Sequence, residues 1–309
     1  MTAKKYTHPG DREIHGSEIH GSIDGIRLKR TLSEMNFTGA LNFSSDRGDP
    51  QLGIATPISD ARPLFGKHSL GNAQEILLNG RGFLLANSPS TVINWSDPKE
   101  VANKHYEEAL TLAQNLLPDF RFTPINSHTF RDESIKEHHW IDGIQYGPCA
   151  EFVHNDYADT LSSDQRQIEK SFAKIMGLPT NKRVVGINIW RSVSNSPLER
   201  FPLAVCDRTS IDPNDLVYAL NGEAPIPFNA HYCLPNAAQR WFYYSRQAAD
   251  EALVFTTYDS HPDDGELFKP TLHTAVSKPG SENLTPRESI EVRFFGIKEL
   301  TRQRQNPDL

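Results

Sequence analysis

Apolar and polar residues alternate along short stretches that fill most of the second half of the chain. These stretches are rich in Val, Ile, Phe, Tyr and Trp, and clusters of Pro, Asn, Asp and Ser separate them, which is typical of strands. The clearest of them read RVVGINIWRSV, PLAVCD, AHYCLP, RWFYYS, ALVFTTY and SIEVRFFGI. Helices of βαβ spacing do not lie between them, which argues against a parallel doubly wound sheet. The pattern predicts a mainly β fold with flanking helices, in which antiparallel strands form a sandwich or jelly roll.

Other local patterns predict helices and turns around this core. Residues 98–117 have apolar side chains at helical spacing, so they predict a helix that packs one face on a sheet, with Asp97 as the N-cap and Pro118 at the end. A second helix is predicted between residues 162 and 176, and a short strand over residues 82–86. The segment HYCLPNAAQRWFYYS predicts a hairpin with a short loop.

The first part of the chain has a different texture. Residues 1 to about 75 are rich in Gly, Ser, Asp and Pro and contain only short apolar stretches, so we expect an extended N-terminal arm packed on a larger body. We expect the body to be a jelly roll with helical supports over residues 80–298, and residues 1–309 to form a single domain.

Composition and charge exclude several classes of partner. The formal net charge is -7 without a basic cluster, which argues against nucleic-acid binding. No apolar run approaches the roughly 20 residues that a membrane span needs, and the N-terminus lacks the apolar region of a secretory signal. The three cysteines are widely spaced and odd in number, so a reduced, cytoplasmic location is the simplest expectation. The oligomeric state is left open, with a homodimer as one alternative.

Three residues far apart in sequence have the types and spacing of a metal site. His154 and Asp156 follow the strand-like run AEFV, and the period of two places both side chains on one face. His273 lies in a later strand-like segment, as a third ligand from a neighbouring strand would. Two imidazoles and one carboxylate form the ligand set of non-haem Fe(II) oxygenases. The alternative is that His154 is a core or capping histidine and Asp156 a turn residue.

Two other triplets of the same kind occur in the chain. His105 and Glu107 lie in the predicted helix, where residues two apart point about 200° away from each other, so they do not share a metal easily. His261 and Asp263 lie in the acidic, turn-like stretch DSHPDDGE, which we expect to be a solvated loop. The triplet with His154 is therefore the favoured one.

An arginine follows the distal histidine at the start of a strand-like run. Arg287 and Ser289 share one face of this strand, and the apolar Ile290 lies on the other. A guanidinium matches a carboxylate bidentately and a hydroxyl adds a hydrogen bond, so this pair is a candidate anion site. An ordinary strand arginine paired with a neighbouring glutamate is the alternative, and Arg293 competes for the same role.

Taken together, these motifs resemble a known family. The stretches FVHNDY, NIWRSV, PLAVCD, RWFYYS, YDS, HTAV and RESIEVR, in this order, cover residues 80–298. They resemble the Fe(II)/2-oxoglutarate-dependent dioxygenase superfamily, and within it the fungal subgroup with the AsaB-type hydroxylase/desaturases, gibberellin GA4 desaturase and CmcJ. One departure is Leu272, where a proline is expected directly before the distal histidine.

The resemblance implies a double-stranded β-helix core, Fe(II), 2-oxoglutarate and O2, and hydroxylation or desaturation of a small-molecule natural-product intermediate. It implies that His154, Asp156 and His273 bind the metal, and that Arg287 and Ser289 bind the far carboxylate of 2-oxoglutarate. Further candidates come from the strand-like runs. They are Asn188 and Arg191 for the cosubstrate, with a surface ion pair as the alternative for Arg191, and Phe130, Trp190 and Tyr244 for the organic substrate.

Three other functions stay open at this point. The chain could be a non-catalytic jelly-roll binding protein, or a cupin-like metalloenzyme that uses O2 without 2-oxoglutarate. A methyl-transferring function is argued against because no GxGxxG turn follows a strand. The residues do not identify the substrate, and they do not choose between hydroxylation, desaturation, epoxidation and rearrangement.

Overall fold

Two large β-sheets dominate the computed structural model, which describes residues 19–23, 26–30, 36–45, 50–66, 70–158, 182–221, 228–263 and 268–300. The strands are β1 (Ile19–Ile23), β2 (Ile26–Arg30), β3 (Phe37–Ser44), β4 (Pro50–Asp60), β5 (Phe83–Asn87), β6 (Arg121–Asp132), β7 (His139–Ile141), β8 (Ile144–Gly147), β9 (His154–Asn155), β10 (Arg183–Ser192), β11 (Leu203–Cys206), β12 (Leu216–Asn221), β13 (Phe228–Cys233), β14 (Trp241–Tyr243), β15 (Glu251–Asp259), β16 (His273–Ala275) and β17 (Glu288–Lys298). The α-helices are α1 (Arg62–Phe65), α2 (Pro98–Glu100) and α3 (Tyr106–Leu116), with 3-10 turns at Leu70–Asn72, Arg208–Ser210 and Pro213–Asp215 and π-turns at Glu75–Asn79 and Val101–His105.

The two sheets are almost entirely antiparallel. One has seven strands in the order β5-β15-β10-β17-β6-β8-β7, and the other has eight in the order β12-β13-β9-β16-β11-β14-β4-β3. Among the described strands of these two sheets, only the β6·β8 and β14·β4 pairs are parallel. Neighbours in the sheets are mostly distant in sequence, which is the connectivity of a jelly roll. The prediction of a mainly β fold with a jelly-roll core is confirmed.

Alternation along the strands of the seven-stranded sheet directs its apolar side chains to two opposite faces. The inner core lies between the sheets, with Trp190 and Phe255 from the seven-stranded sheet packed among Val205, Phe242 and other buried side chains of the eight-stranded sheet. The opposite, outer face of the seven-stranded sheet packs against α3 through a second core. Because side chains alternate, successive residues of β10 enter different cores, and this alternation decides which of its polar residues approach the site.

The predicted long helix exists, but it is not uniform. The Asp97 side chain accepts a hydrogen bond of 2.9 Å from the Lys99 amide, which confirms the predicted N-cap. Between α2 and α3 the segment Val101–His105 is a π-turn, which periodicity alone did not predict. The buried face of α3, which includes Ala109 and Leu116, packs on the outer face of the seven-stranded sheet, as expected.

Two other expectations differ from the structure. The predicted hairpin in HYCLPNAAQRWFYYS is wrong, because β13 pairs with β12 and β9, whereas β14 pairs with β11 and β4. Two strands close in sequence are thus separated by three others in the same sheet. Within the N-terminal arm, β3 and β4 pair antiparallel at the edge of this sheet, with a register shift between Phe43 and Ser44, although their composition predicted little regular structure. The helix predicted between residues 162 and 176 lies outside the described residues.

Candidate metal centre

Three side chains from separate parts of the chain converge at one point. His154 in β9 pairs directly with His273 in β16, and Asp156 follows β9 by one residue. One ligand atom from each residue lies within 4.8 Å of the other two. Within the described part of the chain, this is the only group of three or more such residues that could hold a metal ion. Fe(II) fits this donor set of two imidazoles and one carboxylate.

Backbone carbonyl groups fix the orientation of both imidazoles. His154 Nδ1 lies 2.9 Å from the Phe152 carbonyl oxygen, and His273 Nδ1 lies 3.1 Å from the Thr271 carbonyl oxygen. A carbonyl oxygen only accepts, so each Nδ1 carries the proton and each neutral ring presents an unprotonated Nε2. This is the arrangement in which an imidazole binds a metal through Nε2.

The seven-stranded sheet holds the carboxylate in place. Asn188 Nδ2 donates a hydrogen bond of 2.6 Å to Asp156 Oδ2, and Arg293 Nε donates one of 3.0 Å to the same oxygen. The other oxygen, Oδ1, lies 3.8 Å from His154 Nε2. Asp156 is therefore tied through Oδ2 and presents Oδ1 toward the imidazoles.

The electrostatics of this group favour metal binding. Burial lowers the pKa of His154 to about 4, and the neighbouring His273 imidazole contributes to the shift. Burial also lowers the pKa of His273. Burial alone would raise the pKa of Asp156, but the Arg293 guanidinium and the two imidazoles outweigh it, so this pKa is lowered. At neutral pH the site thus offers two neutral imidazoles and one carboxylate, all ready to bind without losing a proton.

Comparisons with known proteins agree with this chemistry. A sequence model of the family described as "oxidoreductase/YMDC permease-like domain" matches residues 58–297. The alpha-ketoglutarate-dependent dioxygenase phiK of Fungal sp. is 25% identical, over 73% of this chain and 80% of phiK. The hydroxylase/desaturase efuI of Hormonema carpetanum is 27% identical, over 76% of this chain and 83% of efuI. The chain belongs to this family of oxidoreductases and is an Fe(II)/2-oxoglutarate-dependent oxygenase.

A solved structure supports the fold of the oxygenase. The iron and alpha-ketoglutarate-dependent endoperoxidase NvfI superposes with a TM-score of 0.63 at 21% sequence identity, over 86% of this chain and 99% of NvfI. At this identity the likeness concerns the fold. No helix within the described residues has the length and apolar character needed to cross a bilayer.

Arg287 of the oxygenase lies deep between the sheets. It is 2% exposed, and its guanidinium lies 4.9 Å from the centre of the Trp190 ring. Nε donates to Ser289 Oγ at 3.0 Å, and Nη1 donates to the Phe201 carbonyl oxygen at 2.9 Å. No carboxylate among the described residues forms an ion pair with this guanidinium. The structure therefore brings Arg287, Ser289 and Trp190 together on the inner face.

Arg293 differs from Arg287 because its charge is already neutralised. Besides Asp156, it forms an ion pair with Glu291, and its Nη1 donates to Thr129 Oγ1 at 2.8 Å. The two carboxylates raise the pKa of Arg293 although burial opposes the shift. Sequence reasoning named Arg293 only as a competitor for the anion and missed its contact with Asp156. The contact depends on how the two sheets pack, for which the sequence carries no direct signal.

Two candidates from the sequence lie away from the metal centre. Arg191 reaches the outer face, where Nη2 donates to the carbonyl and hydroxyl oxygens of Ser88 at 2.9 and 2.7 Å. Phe130 also lies on the outer face, in a cluster with Val101 and Ile290. Alternation explains both results, because Trp190 next to Arg191, and Thr129 next to Phe130, take the inward positions.

The remaining candidates have other surroundings. Tyr244 is buried in the inner core, with its ring 6.4 Å from that of Phe83. His261 Nδ1 lies 2.8 Å from Ser260 Oγ, and Asp263 pairs with Arg183. His105 is fully buried beside α3. None of these residues joins the triad.

Proposed function

We propose that this oxygenase hydroxylates or desaturates a small-molecule natural-product intermediate, with Fe(II) bound by His154, Asp156 and His273. The carrying observation is the convergence of these three side chains within 4.8 Å, with both imidazoles oriented by carbonyl groups. Relatives named hydroxylase/desaturase and alpha-ketoglutarate-dependent dioxygenase support the reaction class. Asparagine and arginine contacts to Asp156 support its role as a ligand through Oδ1.

When bound, iron, 2-oxoglutarate and O2 supply a two-electron oxidation and convert 2-oxoglutarate into succinate and CO2. The residues of the chain orient and desolvate these groups. The Phe255 ring, whose centre lies 4.7 Å from that of His273, covers one side of the triad. Asn188 is fully buried and bridges Asp156 to β15, because Thr257 Oγ1 donates to its Oδ1 at 3.3 Å. These contacts hold the ligands in one geometry before the metal binds.

Arg287 is the better candidate for the far carboxylate of 2-oxoglutarate. A buried guanidinium without a carboxylate partner carries a desolvation cost, which an incoming anion offsets. Arg293 lacks this capacity because Asp156 and Glu291 already neutralise it. The Ser289 hydroxyl, 3.0 Å from Arg287 Nε, is positioned to donate to the same carboxylate.

The organic substrate would lie against aromatic side chains next to the triad. The Phe152 ring centre lies 4.5 Å from that of His154 and 5.5 Å from that of Tyr232. Both aromatic residues are partly exposed, whereas the inner-core aromatics are buried. They offer an apolar wall at the accessible side of the metal centre, as expected for a small-molecule pocket.

Anaerobic addition of Fe(II) and 2-oxoglutarate tests the proposal. Chelation of the metal by 2-oxoglutarate should produce a visible charge-transfer band, and a non-catalytic binding protein would produce none. With candidate substrates and isotopically labelled O2, hydroxylation places labelled oxygen in the product, whereas desaturation leaves the product unlabelled. Release of succinate without any dependence on His273 would contradict the assignment of the ligands.

The cytoplasm is proposed as the compartment, and the homodimer stays a prediction. Three free, buried cysteines support a reducing environment. Gel filtration with light scattering measures the oligomeric state directly.

A further inference from the structure

The inner face of the seven-stranded sheet carries a third arginine that no role described so far uses. Arg131 lies in β6 directly opposite Ser289 of β17. Thr129, two residues earlier, accepts a hydrogen bond from Arg293, so alternation places Arg131 on the same inward side. Its guanidinium is thus on the side of the sheet that contains the metal centre and Arg287.

The hydrogen-bond partner of the Arg131 side chain is a neutral group, although the charges of Glu291 and Asp156 act on the guanidinium. Nη1 donates to His138 Nδ1 at 3.0 Å, which is a neutral acceptor in this contact. No carboxylate in the described part of the chain forms an ion pair with Arg131. The carboxylates whose charges act on Arg131, Glu291 and Asp156, both form ion pairs with Arg293. Burial lowers the pKa of Arg131 to about 10, and the positive charge of Arg293 adds to this shift.

The backbone beside Arg131 is adapted to its side chain. Gly147 of β8 pairs with Arg131, and a Cβ atom at this position would lie 2.9 Å from Arg131 Nη1 and closer still to His138. The absence of a side chain lets the guanidinium and the imidazole lie across the neighbouring strand. The Arg131 side chain therefore fits there because residue 147 is a glycine.

Charge balance indicates what the guanidinium binds. Three arginines, Arg131, Arg287 and Arg293, share the inner face around the site with two carboxylates, Asp156 and Glu291. Fe(II) and the dianion of 2-oxoglutarate cancel each other. Of the three guanidinium groups, Arg293 is the one with a carboxylate of a described residue at ion-pair distance, so once 2-oxoglutarate binds Arg287, a carboxylate of the organic substrate would offset the desolvation of Arg131.

We propose that the substrate is an amphipathic organic acid whose carboxylate binds Arg131 while its apolar body packs against Phe152 and Tyr232. The inference rests on the proposed function, since it concerns the same metal centre. A guanidinium binds a carboxylate bidentately, and such charge-assisted contacts are stronger than neutral hydrogen bonds. The partly exposed aromatic pair next to His154 supplies the complementary apolar surface. Arg131 would thus select acids over neutral compounds with the same carbon skeleton.

Thermal unfolding with matched probes tests this selectivity. The protein is loaded anaerobically with Fe(II) and saturating 2-oxoglutarate, and the rise in Tm is measured with straight-chain carboxylic acids of graded length and with their methyl esters. Acids should raise Tm more than esters. In Arg131→Gln the acids should bind about ten- to hundredfold more weakly, with ester binding unchanged. Arg131→Lys should keep part of the preference because it keeps the charge.

The control is Arg121→Gln, which removes an exposed arginine at the start of the same strand and should leave acid binding unchanged. Gly147→Ala should weaken acid binding while keeping the charge, because its Cβ displaces the Arg131 guanidinium. Equal Tm shifts for acids and esters, zero included, would overturn the inference, as would an acid preference that survives in Arg131→Gln.

The charge-transfer band separates this inference from the proposed function. If Fe(II) and 2-oxoglutarate produce no band in the wild type, the proposed function fails. If the band forms but acids show no preference, only the role of Arg131 fails. A band that disappears on adding the acid would show that the acid displaces 2-oxoglutarate, and a band lost in Arg131→Gln would assign Arg131 to the cosubstrate. Both results would overturn the inference.

Discussion

The two faces of the seven-stranded sheet bury the same residue types in different settings. On the inner face, Arg287 has no carboxylate partner within the described chain, and His273 presents its Nε2 toward two other ligand atoms. On the outer face, the Arg191 guanidinium is held by the carbonyl and hydroxyl groups of Ser88, and His105 is packed fully buried against the sheet. The proposed function assigns a ligand to Arg287 and to His273, whereas Arg191 and His105 are part of the core.

The comparison shows that burial of a titratable group does not by itself mark a site. Burial lowers the pKa of His105 to about 3, helped by the positive charge of Arg191, and its Nδ1 lies 3.7 Å from Oε2 of Glu108 on the adjoining helix. His154 has a similarly lowered pKa, yet a carbonyl group orients its ring and two other ligands face it. Orientation and convergence, rather than the size of a pKa shift, therefore distinguish the functional face.

Removal of a metal ligand should give the largest effect. His273→Ala leaves two ligands, so we expect loss of bound Fe(II), of the charge-transfer band and of measurable turnover. The loss of affinity should exceed the 10- to about 100-fold that removal of a ligand's hydrogen-bond partner costs. Metal analysis after desalting measures it.

His105→Gln on the outer face is the matched control for this variant. It should retain Fe(II) and lower only the stability of the protein, because His105 packs in a core and contacts no ligand of the triad. Equal loss of iron in both variants would break the distinction between the two faces.

The two buried arginines give the second test. Arg287→Gln should raise the Kd for 2-oxoglutarate about 30-fold or more, since loss of one partner of a buried charge pair costs about 2 kcal/mol or more. Titration of the charge-transfer band measures this Kd. Turnover that stays fully dependent on O2 but independent of 2-oxoglutarate in this variant would favour a cupin-like enzyme.

Arg191→Gln should leave the Kd for 2-oxoglutarate within about twofold of the wild type, because its side chain points to the outer face. It should instead destabilise the protein by about 1–3 kcal/mol, since the Ser88 carbonyl loses a charged donor in a buried position. A raised Kd for 2-oxoglutarate in Arg191→Gln would mean that a change on the outer face alters binding on the inner face.

How much of this comparison the sequence predicts depends on whether the interacting residues are close together or far apart in sequence. The triad was predicted because His154 and Asp156 lie two residues apart at a strand end, where the period of two decides their direction. The same alternation assigns Trp190 inward and Arg191 outward, although both were candidates. Nothing local indicates the contact of Arg293 with Asp156, because it forms only when the two sheets pack against each other.

Strand pairing was the other part that local pattern did not predict. The sequence between β13 and β14 has the composition of a hairpin, yet three strands from elsewhere in the chain lie between them. Phe130 is a sequence candidate for the substrate pocket, and register with β17 places it on the outer face. Long-range pairing therefore decided which side chains reach the site.

The contact between the two sheets at Asp156 gives the third test. Asn188→Ala removes the hydrogen bond of 2.6 Å to Asp156 Oδ2, so the carboxylate can rotate away from the imidazoles. We expect Fe(II) to bind about 10- to 100-fold more weakly, with a smaller change in the Kd for 2-oxoglutarate. Ser192→Ala, on the same strand and face, is the control and should leave Fe(II) affinity unchanged. If both variants bind Fe(II) equally weakly, the loss of affinity comes from a disturbance of β10 and not from the lost hydrogen bond to Asp156.

Protonation of a buried histidine on the outer face should destabilise the protein at acid pH. This is the smallest of the predicted effects. His128 is 2% exposed, and its Nδ1 lies 2.8 Å from the Tyr106 hydroxyl. Burial lowers the pKa of His128 to about 4, below the value near 6.5 of an unfolded chain. Between these values the unfolded state binds the extra proton, so the free energy of unfolding falls as pH decreases from about 6.5 to about 4.

At pH 5 this histidine should reduce the stability by about 2 kcal/mol relative to neutral pH. Urea unfolding of the metal-free protein at several pH values measures the slope. His128→Gln should lose this share of the pH dependence, while the buried His105 and the triad histidines keep theirs. If the slope between pH 7 and pH 5 is the same in wild type and variant, His128 is not buried as a neutral imidazole. The outer face would then bury its histidine less completely than the comparison of the two faces assumes.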